Sequence, residues 1–134
     1  MQVTWRADRS QVAEPFATNV TTCLAGVESD AACVITCGAR DPAVEAAGYA
    51  AWEADHAQPK FTDPANSAHC CVPALAVDFT LVKDGKDDWD SSDPDWQAII
   101  AAVRASPDLH PGADFGDDDH IEAVGWRRIR DASA

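Results

Sequence analysis

The chain has 134 residues, of which 46% are hydrophobic, so it is long enough to bury the core of one domain and too short for two. It carries 23 acidic residues against 10 lysines and arginines, and its net charge is −13. This charge argues against nucleic-acid binding, which normally needs a basic face, and against attachment to an anionic membrane surface. We predict one domain over residues 1–134 that is monomeric, binds no nucleic acid and inserts into no membrane.

The sequence shows no export signal and no even set of cysteines. The first residues, MQVTWRADRSQVAEPF, contain no apolar run long enough for a signal peptide, and no later segment has the roughly 20 apolar residues of a membrane helix. The five cysteines are an odd number, so we expect free, mostly buried thiols. Cys33 and Cys37 lack a second pair at zinc-finger spacing and form a weak metal motif. We predict synthesis and folding in a cytoplasm.

The first half of the chain predicts a helix, a strand and a second helix. One apolar stripe predicts a helix that starts after Ser10 and ends near Gly26; its members are Val12, Phe16, Val20 and Leu24. Residues 32–36 are short, apolar and β-branched, as in a strand. Asp41 as N-cap and Pro42 at the first position predict a helix ending near residue 55. Its expected apolar side consists of Val44, Ala47, Ala51 and Trp52.

The second half predicts a strand, a helix and a last strand. Residues 56–68 are loop-like, and residues 74–82 form the second predicted strand. An acidic loop over 84–95 is expected to be solvated rather than to bind calcium, because it lacks the EF-hand spacing. Asp93-Pro94 predicts a helix, and 120–126 a short final strand. The order favours an α+β fold with a small, mostly antiparallel sheet and packed helices.

Four polar residues lie near the predicted strands. His69 precedes the second strand, Asp78 lies near its end, His120 opens the last strand and Asp117 comes three residues earlier. Zinc hydrolases use about three histidine or carboxylate ligands, leave one position open, and place a carboxylate beside the attacking water. Two neighbouring strands could bring His69, Asp78 and His120 around one ion, with Asp117 facing the water. A single histidine is more often a surface or core residue.

These segments resemble the M15 family of zinc metallopeptidases, which includes D-Ala-D-Ala carboxypeptidases and the L-alanyl-D-glutamate endopeptidases of phage endolysins. SAHCCVPALAVDF matches the family's Ser-x-His and strand aspartate, and FGDDDHIEAVGW matches its carboxylate-x-x-His. VITCGARDPAVEAAGYAAW is similar to its strand, Gly-x-Arg and following helix. The resemblance covers about residues 34–126 and implies a Hedgehog/D-Ala-D-Ala-peptidase-like fold. The small chain is closest to the endolysin branch.

The resemblance implies a role for each matched residue. One Zn²⁺ would be bound by His69, Asp78 and His120, and Asp117 would act as the catalytic base. Arg40 would stabilise the oxyanion or hold a substrate carboxylate, a task that suits its bidentate geometry. Ser67 would either bind substrate or shape the loop. Within the run DDDH, Asp118 and Asp119 are expected to be solvated neighbours of the base.

The same resemblance implies a substrate and leaves alternatives open. The partner would be the peptidoglycan stem peptide, cut at L-Ala–D-Glu by an enzyme made without a signal peptide and acting on the cell wall after release. The alternatives are a D-Ala-D-Ala carboxypeptidase and an inactive zinc-binding cell-wall module. Asp78 follows His69 by nine residues, two more than the family pattern, and Cys70, Cys71 and Pro73 occupy this gap. The two thiols could be a zinc pair, a redox pair or packing residues, and we favour packing.

Overall fold

An open sheet of six strands forms the centre of the fold, and four α-helices surround it over the residues that the structure describes. The structure is a computed structural model, and it describes residues 1–132. The strands are β1 (Gln2–Trp5), β2 (Ala32–Cys37), β3 (Ala76–Lys83), β4 (Lys86–Asp88), β5 (Leu109–Pro111) and β6 (His120–Ala123). The helices are α1 (Phe16–Ala25), α2 (Pro42–Ala54), α3 (Pro94–Ala105) and α4 (Trp126–Ala132).

The sheet is mostly antiparallel, as predicted. Its order is β1-β2-β3-β6-β5, and the short β4 pairs with the far end of β3. The pair β1–β2 is parallel, whereas β2–β3, β3–β4, β3–β6 and β5–β6 are antiparallel. The predicted α+β class is therefore confirmed. Because β3 lies between β2 and β6, any polar side chain near its start has neighbours on both sides.

The hydrophobic core lies between the sheet and helices α1 and α3. On β3, Val77, Phe79 and Leu81 alternate toward this core and are at most 1% exposed. Phe79 packs on Trp96 of α3 with ring centroids 5.0 Å apart. The intervening residues of β3 point to the opposite face, and Asp78 is one of them. One face of β3 therefore stabilises the fold, while the other carries polar groups.

Local sequence signals locate most elements correctly. The two predicted N-caps are confirmed, since the side chains of Asp41 and Asp93 accept hydrogen bonds from the amides of Ala43 and Asp95. The predicted first helix starts too early: a 3₁₀ turn precedes it, and α1 begins at Phe16. The predicted last strand is too long, because it ends at Ala123 and Trp126 starts α4. The sequence analysis missed β1, β4, β5 and α4.

Helix α2 differs from its prediction in which side chain it buries. Its expected apolar side does not face a core, and Val44 is 57% exposed. Across residues 42–54, Glu45 is the buried residue, with 2% of its surface exposed. A glycine at position 48 lets the Phe61 ring pack against the helix, since a Cβ there would lie 2.4 Å from that ring. α2 is thus held to the body by a polar contact and by one aromatic ring.

Within residues 1–132, no helix combines the length and the apolar character that crossing a membrane requires.

Candidate metal centre

Three chemically active side chains lie in one row across the sheet. Asp78 on β3 is opposite His120 on β6 and opposite Cys37 on β2. The pairing with Cys37 depends on a β-bulge, because β2 has one extra residue between Ile35 and Cys37. Without that bulge Thr36 would lie opposite Asp78. The antiparallel register thus brings residues far apart in sequence into direct contact.

His69 reaches this row from outside the sheet. It lies in the 3₁₀ turn Ala68–Cys70 and is 3% exposed. Its Nδ1–H donates to the Gly38 carbonyl at 2.7 Å, and its own carbonyl accepts from the Arg40 amide at 2.9 Å. These bonds fix the ring, and its Nε2 then faces Asp78.

Three acceptor atoms converge where these side chains meet. His69 Nε2 lies 3.1 Å from Asp78 Oδ1 and 3.2 Å from His120 Nδ1. His120 Nδ1 lies 3.4 Å from the same Asp78 oxygen. The other nitrogen of each ring already donates a hydrogen bond, His69 to Gly38 and His120 to a carboxylate. With neutral rings, three lone-pair atoms would face one another, so this geometry favours a shared cation.

The pKa values of these groups follow from the same contacts. Burial lowers the pKa of His69, but hydrogen bonds to Asp78 and Cys37 outweigh it and raise the pKa to about 10. Burial likewise lowers the pKa of His120, and Asp78 and Glu122 raise it to about 9. Burial raises the pKa of Asp78, but both histidines hold it well below its usual range. The carboxylates of Asp78 and Glu122 thus favour positive charge on the two imidazole rings.

Glu122 supports His120 from behind. Its Oε1 accepts a hydrogen bond from His120 Nε2 at 2.8 Å, and the side chain of Trp126 also hydrogen-bonds to it. Glu122 is therefore a bonded partner of His120 and not a solvated residue. A carboxylate on the distal nitrogen fixes the tautomer of a metal-binding histidine and raises its basicity.

Arg40 lies beside the centre and is bonded to acidic groups of the protein. Its guanidinium pairs with Glu45 Oε2 at 2.8 Å and with Asp78 Oδ2 at 3.0 Å. Glu45 also accepts from the Thr62 amide at 3.3 Å. Arg40 therefore orients the oxygen of Asp78 that does not face the histidines. The sequence analysis missed Glu45 because a buried glutamate on an alanine-rich helix looks like an ordinary surface residue.

An open cavity of about 240 Å³ lies over the centre. The predicted residues all line it, namely Arg40, Ser67, His69, Asp78, Asp117 and His120. Asp117 is 53% exposed, and its Oδ2 lies 3.9 Å from His120 Nδ1. Gly112 allows this approach, because a Cβ there would lie 2.3 Å from the Asp117 carbonyl. The cavity thus presents the carboxylate of Asp117 next to His120.

Asp119 differs from its prediction. It is half-buried and lines the cavity, whereas the sequence analysis expects a solvated neighbour. Burial and a hydrogen bond to Asp117 raise the pKa of Asp119 to about 7. The carboxylate of Asp117 therefore makes the carboxylate of Asp119 harder to ionise. Asp118 and Asp119 lie in the turn before β6, where Asp118 is exposed and Asp119 lines the cavity, a difference that the run DDDH does not reveal.

Cys37 is the cysteine that reaches the centre. Together with His69 and Asp78 it forms a group whose ligand atoms lie within 4.8 Å of one another and could hold a metal ion. Cys70 and Cys71 are free thiols in the nearby loop, and Cys71 is buried against the core. The weak motif Cys33-x-x-x-Cys37 thus contains one relevant residue, placed by the bulge in β2.

A loop connects His69 with the start of β3, which carries Asp78. Within it Val72 is 93% exposed, whereas Ala74 and Leu75 are buried. Leu75 N donates to the Ala68 carbonyl at 3.0 Å, which closes the loop at its base. The tip of this loop therefore points into solvent, while both His69 and Asp78 face His120.

No protein-family model matches the chain, and no curated protein matches it either.

Proposed function

We propose that the chain is a zinc-dependent peptidoglycan peptidase of the endolysin type, which cuts the L-Ala–D-Glu bond of the stem peptide. The observation that carries this proposal is the convergence of His69 Nε2, Asp78 Oδ1 and His120 Nδ1 at the base of an open cavity. The peptidase-like version of the α+β fold belongs to the same proposal, as does action on the cell wall.

The spacing of the three atoms fits a zinc ion. Bonds of about 2.0–2.1 Å from tetrahedral zinc to histidine nitrogen and carboxylate oxygen place neighbouring donor atoms about 3.4 Å apart. The observed separations are 3.1, 3.2 and 3.4 Å. Two imidazoles and one carboxylate are also the donor set of catalytic zinc sites. A bound zinc ion supplies Lewis acidity toward the carbonyl and the attacking water.

Three residues of the protein have the remaining roles in the proposed reaction. Asp117 faces the cavity with a half-exposed carboxylate beside His120, so it accepts the proton of the attacking water and delivers it to the leaving amine. Arg40 pairs with Glu45 and Asp78 and so holds Asp78 in place; because it also lines the cavity, we place a substrate carboxylate or the oxyanion beside it. Ser67 is buried at the cavity wall and shapes the loop that carries His69.

The substrate class rests on the resemblance of the two motif segments, and the cavity is consistent with it. An open cleft lined by charged residues admits a polar peptide, whereas a small closed pocket would favour a compact apolar ligand. The carboxypeptidase remains the closest alternative reaction, because both enzymes use the same metal chemistry.

Metal analysis tests the centre directly. We expect one zinc per chain in the wild type and a loss of bound zinc in His120→Ala, with His56→Ala as the matched control from an exposed histidine that lines neither cavity. Undiminished zinc in His120→Ala would contradict the proposed ligand set.

Digestion of purified peptidoglycan followed by mass analysis tests the reaction. New N-terminal D-Glu supports the endopeptidase, and its loss in Asp117→Asn supports the base. Released D-Ala without new D-Glu would assign the carboxypeptidase instead. If the zinc-loaded protein gave no product, the chain would be a binding module and the peptidase proposal would fail.

A further inference from the structure

A second cavity of about 630 Å³ adjoins the metal centre, and its walls include a short basic segment. Thr62, Asn66 and Phe115 line both cavities, so the two form one continuous cleft. Trp126, Arg127 and Arg128 of α4 line the second cavity only. The cleft thus has a metal-binding end and a basic end.

The two arginines are unpaired in a strongly acidic protein. Within residues 1–132, neither Arg127 nor Arg128 has a carboxylate oxygen within 4.0 Å, whereas Arg9, Arg40 and Arg104 all do. Both side chains are exposed. With 23 acidic residues in the chain, two neighbouring arginines without an acidic partner leave their charge available to a ligand.

The basic end is anchored to the metal-binding end. Trp126 is 4% exposed and hydrogen-bonds to Glu122, which in turn accepts from His120. The guanidinium of Arg127 lies over the Trp126 ring, 4.3 Å from its centroid. Arg130 donates to the Ala65 carbonyl at 2.9 Å and so fastens α4 to the loop that borders both cavities. The arginines therefore occupy a defined position relative to the metal centre.

The negative charge around the second cavity determines which kind of anion its arginines can bind. Glu122 also lines the second cavity, and the protein as a whole carries a charge of −13, so a polyanion would be repelled. A single carboxylate on an otherwise small ligand gains the arginine contacts without that repulsion. Arginine is well suited to this task, because its planar group binds a carboxylate through two parallel hydrogen bonds.

We propose that the cavity formed by Trp126, Arg127 and Arg128 is a carboxylate subsite, which binds a carboxylate of the peptide substrate away from the bond that is cut. The identity of this substrate rests on the proposed function. The subsite itself predicts a preference for peptides with a free carboxylate over the same peptides as amides.

Calorimetric titration of the zinc-loaded protein tests the subsite without turnover. The ligand is γ-D-Glu-L-Lys, which contains neither of the two bonds proposed for cleavage, and the comparison ligand is its diamide. We expect the wild type to bind the free dipeptide about tenfold more tightly than the diamide. The double variant Arg127→Gln with Arg128→Gln should lose that preference, and the two mono-amides identify which carboxylate is bound.

A matched control separates the subsite from general charge effects. Arg6→Gln with Lys86→Gln removes the same charge from two residues that line neither cavity. An equal preference in wild type and Arg127/Arg128 variant overturns the subsite, and so does an equal loss in the control variant. Unchanged zinc content and circular dichroism show that the variants are folded.

The outcomes also separate this proposal from the proposed function. If no peptide bond is cut while the carboxylate preference and its loss are both observed, the reaction fails and the subsite stands. If stem peptides are cut with the same kcat/KM by the wild type and the Arg127/Arg128 variant, the subsite fails and the reaction stands.

Discussion

At the scale of single residues, Glu122 is the residue that contacts both ends of the cleft. It binds His120 on one side and Trp126 on the other, so it connects the metal centre with the basic end of the cleft. For His69, the backbone carbonyl of Gly38 plays the same part, because it accepts the hydrogen bond of the other ring nitrogen. Each histidine thus keeps one nitrogen free for the centre because a fixed acceptor holds the proton on the other.

Replacing Glu122 should weaken metal binding without unfolding the protein. In Glu122→Ala the His120 ring loses the acceptor that fixes its tautomer, and we expect the zinc affinity to fall about 10–100-fold. Competition with a fluorescent chelator measures it. Glu28→Ala, which removes an exposed glutamate outside the cleft, is the control and should bind zinc normally. Equal affinities of the two variants would contradict this role.

Cys33 should be inert in the folded protein. It is fully buried on β2, and burial raises the pKa of its thiol to about 12. At pH 8 only about one molecule in ten thousand would carry the thiolate, which is the reactive form. We expect iodoacetamide to leave Cys33 unmodified in the native state and to modify all five cysteines in denaturant, as read by peptide mass spectrometry. If Cys33 were alkylated as fast in the native protein as in denaturant, its thiol would not be buried.

At the scale of elements, the turn before β6 determines where His120 lies. The turn brings the Asp117 carbonyl and the His120 Cβ so close to Gly112 that a side chain there would lie 2.3 and 2.6 Å from them. Backbone atoms cannot move away as freely as the end of a flexible side chain. The position of His120 therefore depends on a residue that has no side chain.

Gly112→Ala should displace His120 and impair the metal centre. We expect at least a tenfold loss of zinc affinity together with a loss of stability of about 1–3 kcal/mol from the forced backbone shift. Zinc competition and urea denaturation measure the two effects. The control is Gly26→Ala, where the nearest atoms are 3.5 Å away and the backbone is right-handed helical. A Gly112→Ala protein with normal zinc affinity would contradict the argument.

Elements with strong local signals could be predicted from the sequence. The Asp-Pro pairs that start α2 and α3 cap these helices through hydrogen bonds between residues close in sequence, so the predicted N-caps are correct. The alternation along β3 also predicts that Asp78 points away from the core. β4 and β5 have three residues each, and their pairing depends on long-range contacts that leave little trace in composition.

The candidate site could be predicted in part for the same physical reason. Asp78 and His120 stand at strand positions whose direction follows from alternation, and His69 lies in the turn before β3; the structure brings the three together. Cys37 required the bulge in β2, and Glu45 required the tertiary contact with Arg40. Both contacts depend on how the backbone is placed in three dimensions, so no spacing in the sequence indicates them.

At the scale of the whole molecule, the excess of negative charge opposes the compact state. A charge of −13 on 134 residues leaves many carboxylates without a basic partner, because there are only 10 lysines and arginines. Their mutual repulsion is greatest in the folded chain, where they are closest together. Salt screens it over a distance of about 10 Å at 0.1 M.

Sodium chloride should therefore stabilise the protein at neutral pH. Between about 20 and 500 mM salt we expect a gain of about 1 kcal/mol, or roughly 3–5 °C in Tm for a chain of this size. Thermal unfolding followed by circular dichroism measures it. At pH 4 many carboxylates are protonated, so the same salt step should raise Tm less. An equal or larger increase at pH 4 would contradict repulsion as the cause.

Helix α2 determines how far the sequence of one wall of the cleft can vary. Because Glu45 is its buried residue, most of its outward positions are free of the constraints that a packed core imposes on sequence. It nevertheless contributes Glu45 to the wall of the cavity that holds the metal centre. Natural drift or a designed library can therefore rewrite its exposed face at little cost in stability, provided that Glu45 and Gly48 are kept. The exposed face of α2 can therefore change in sequence while the side chains of the candidate centre stay the same.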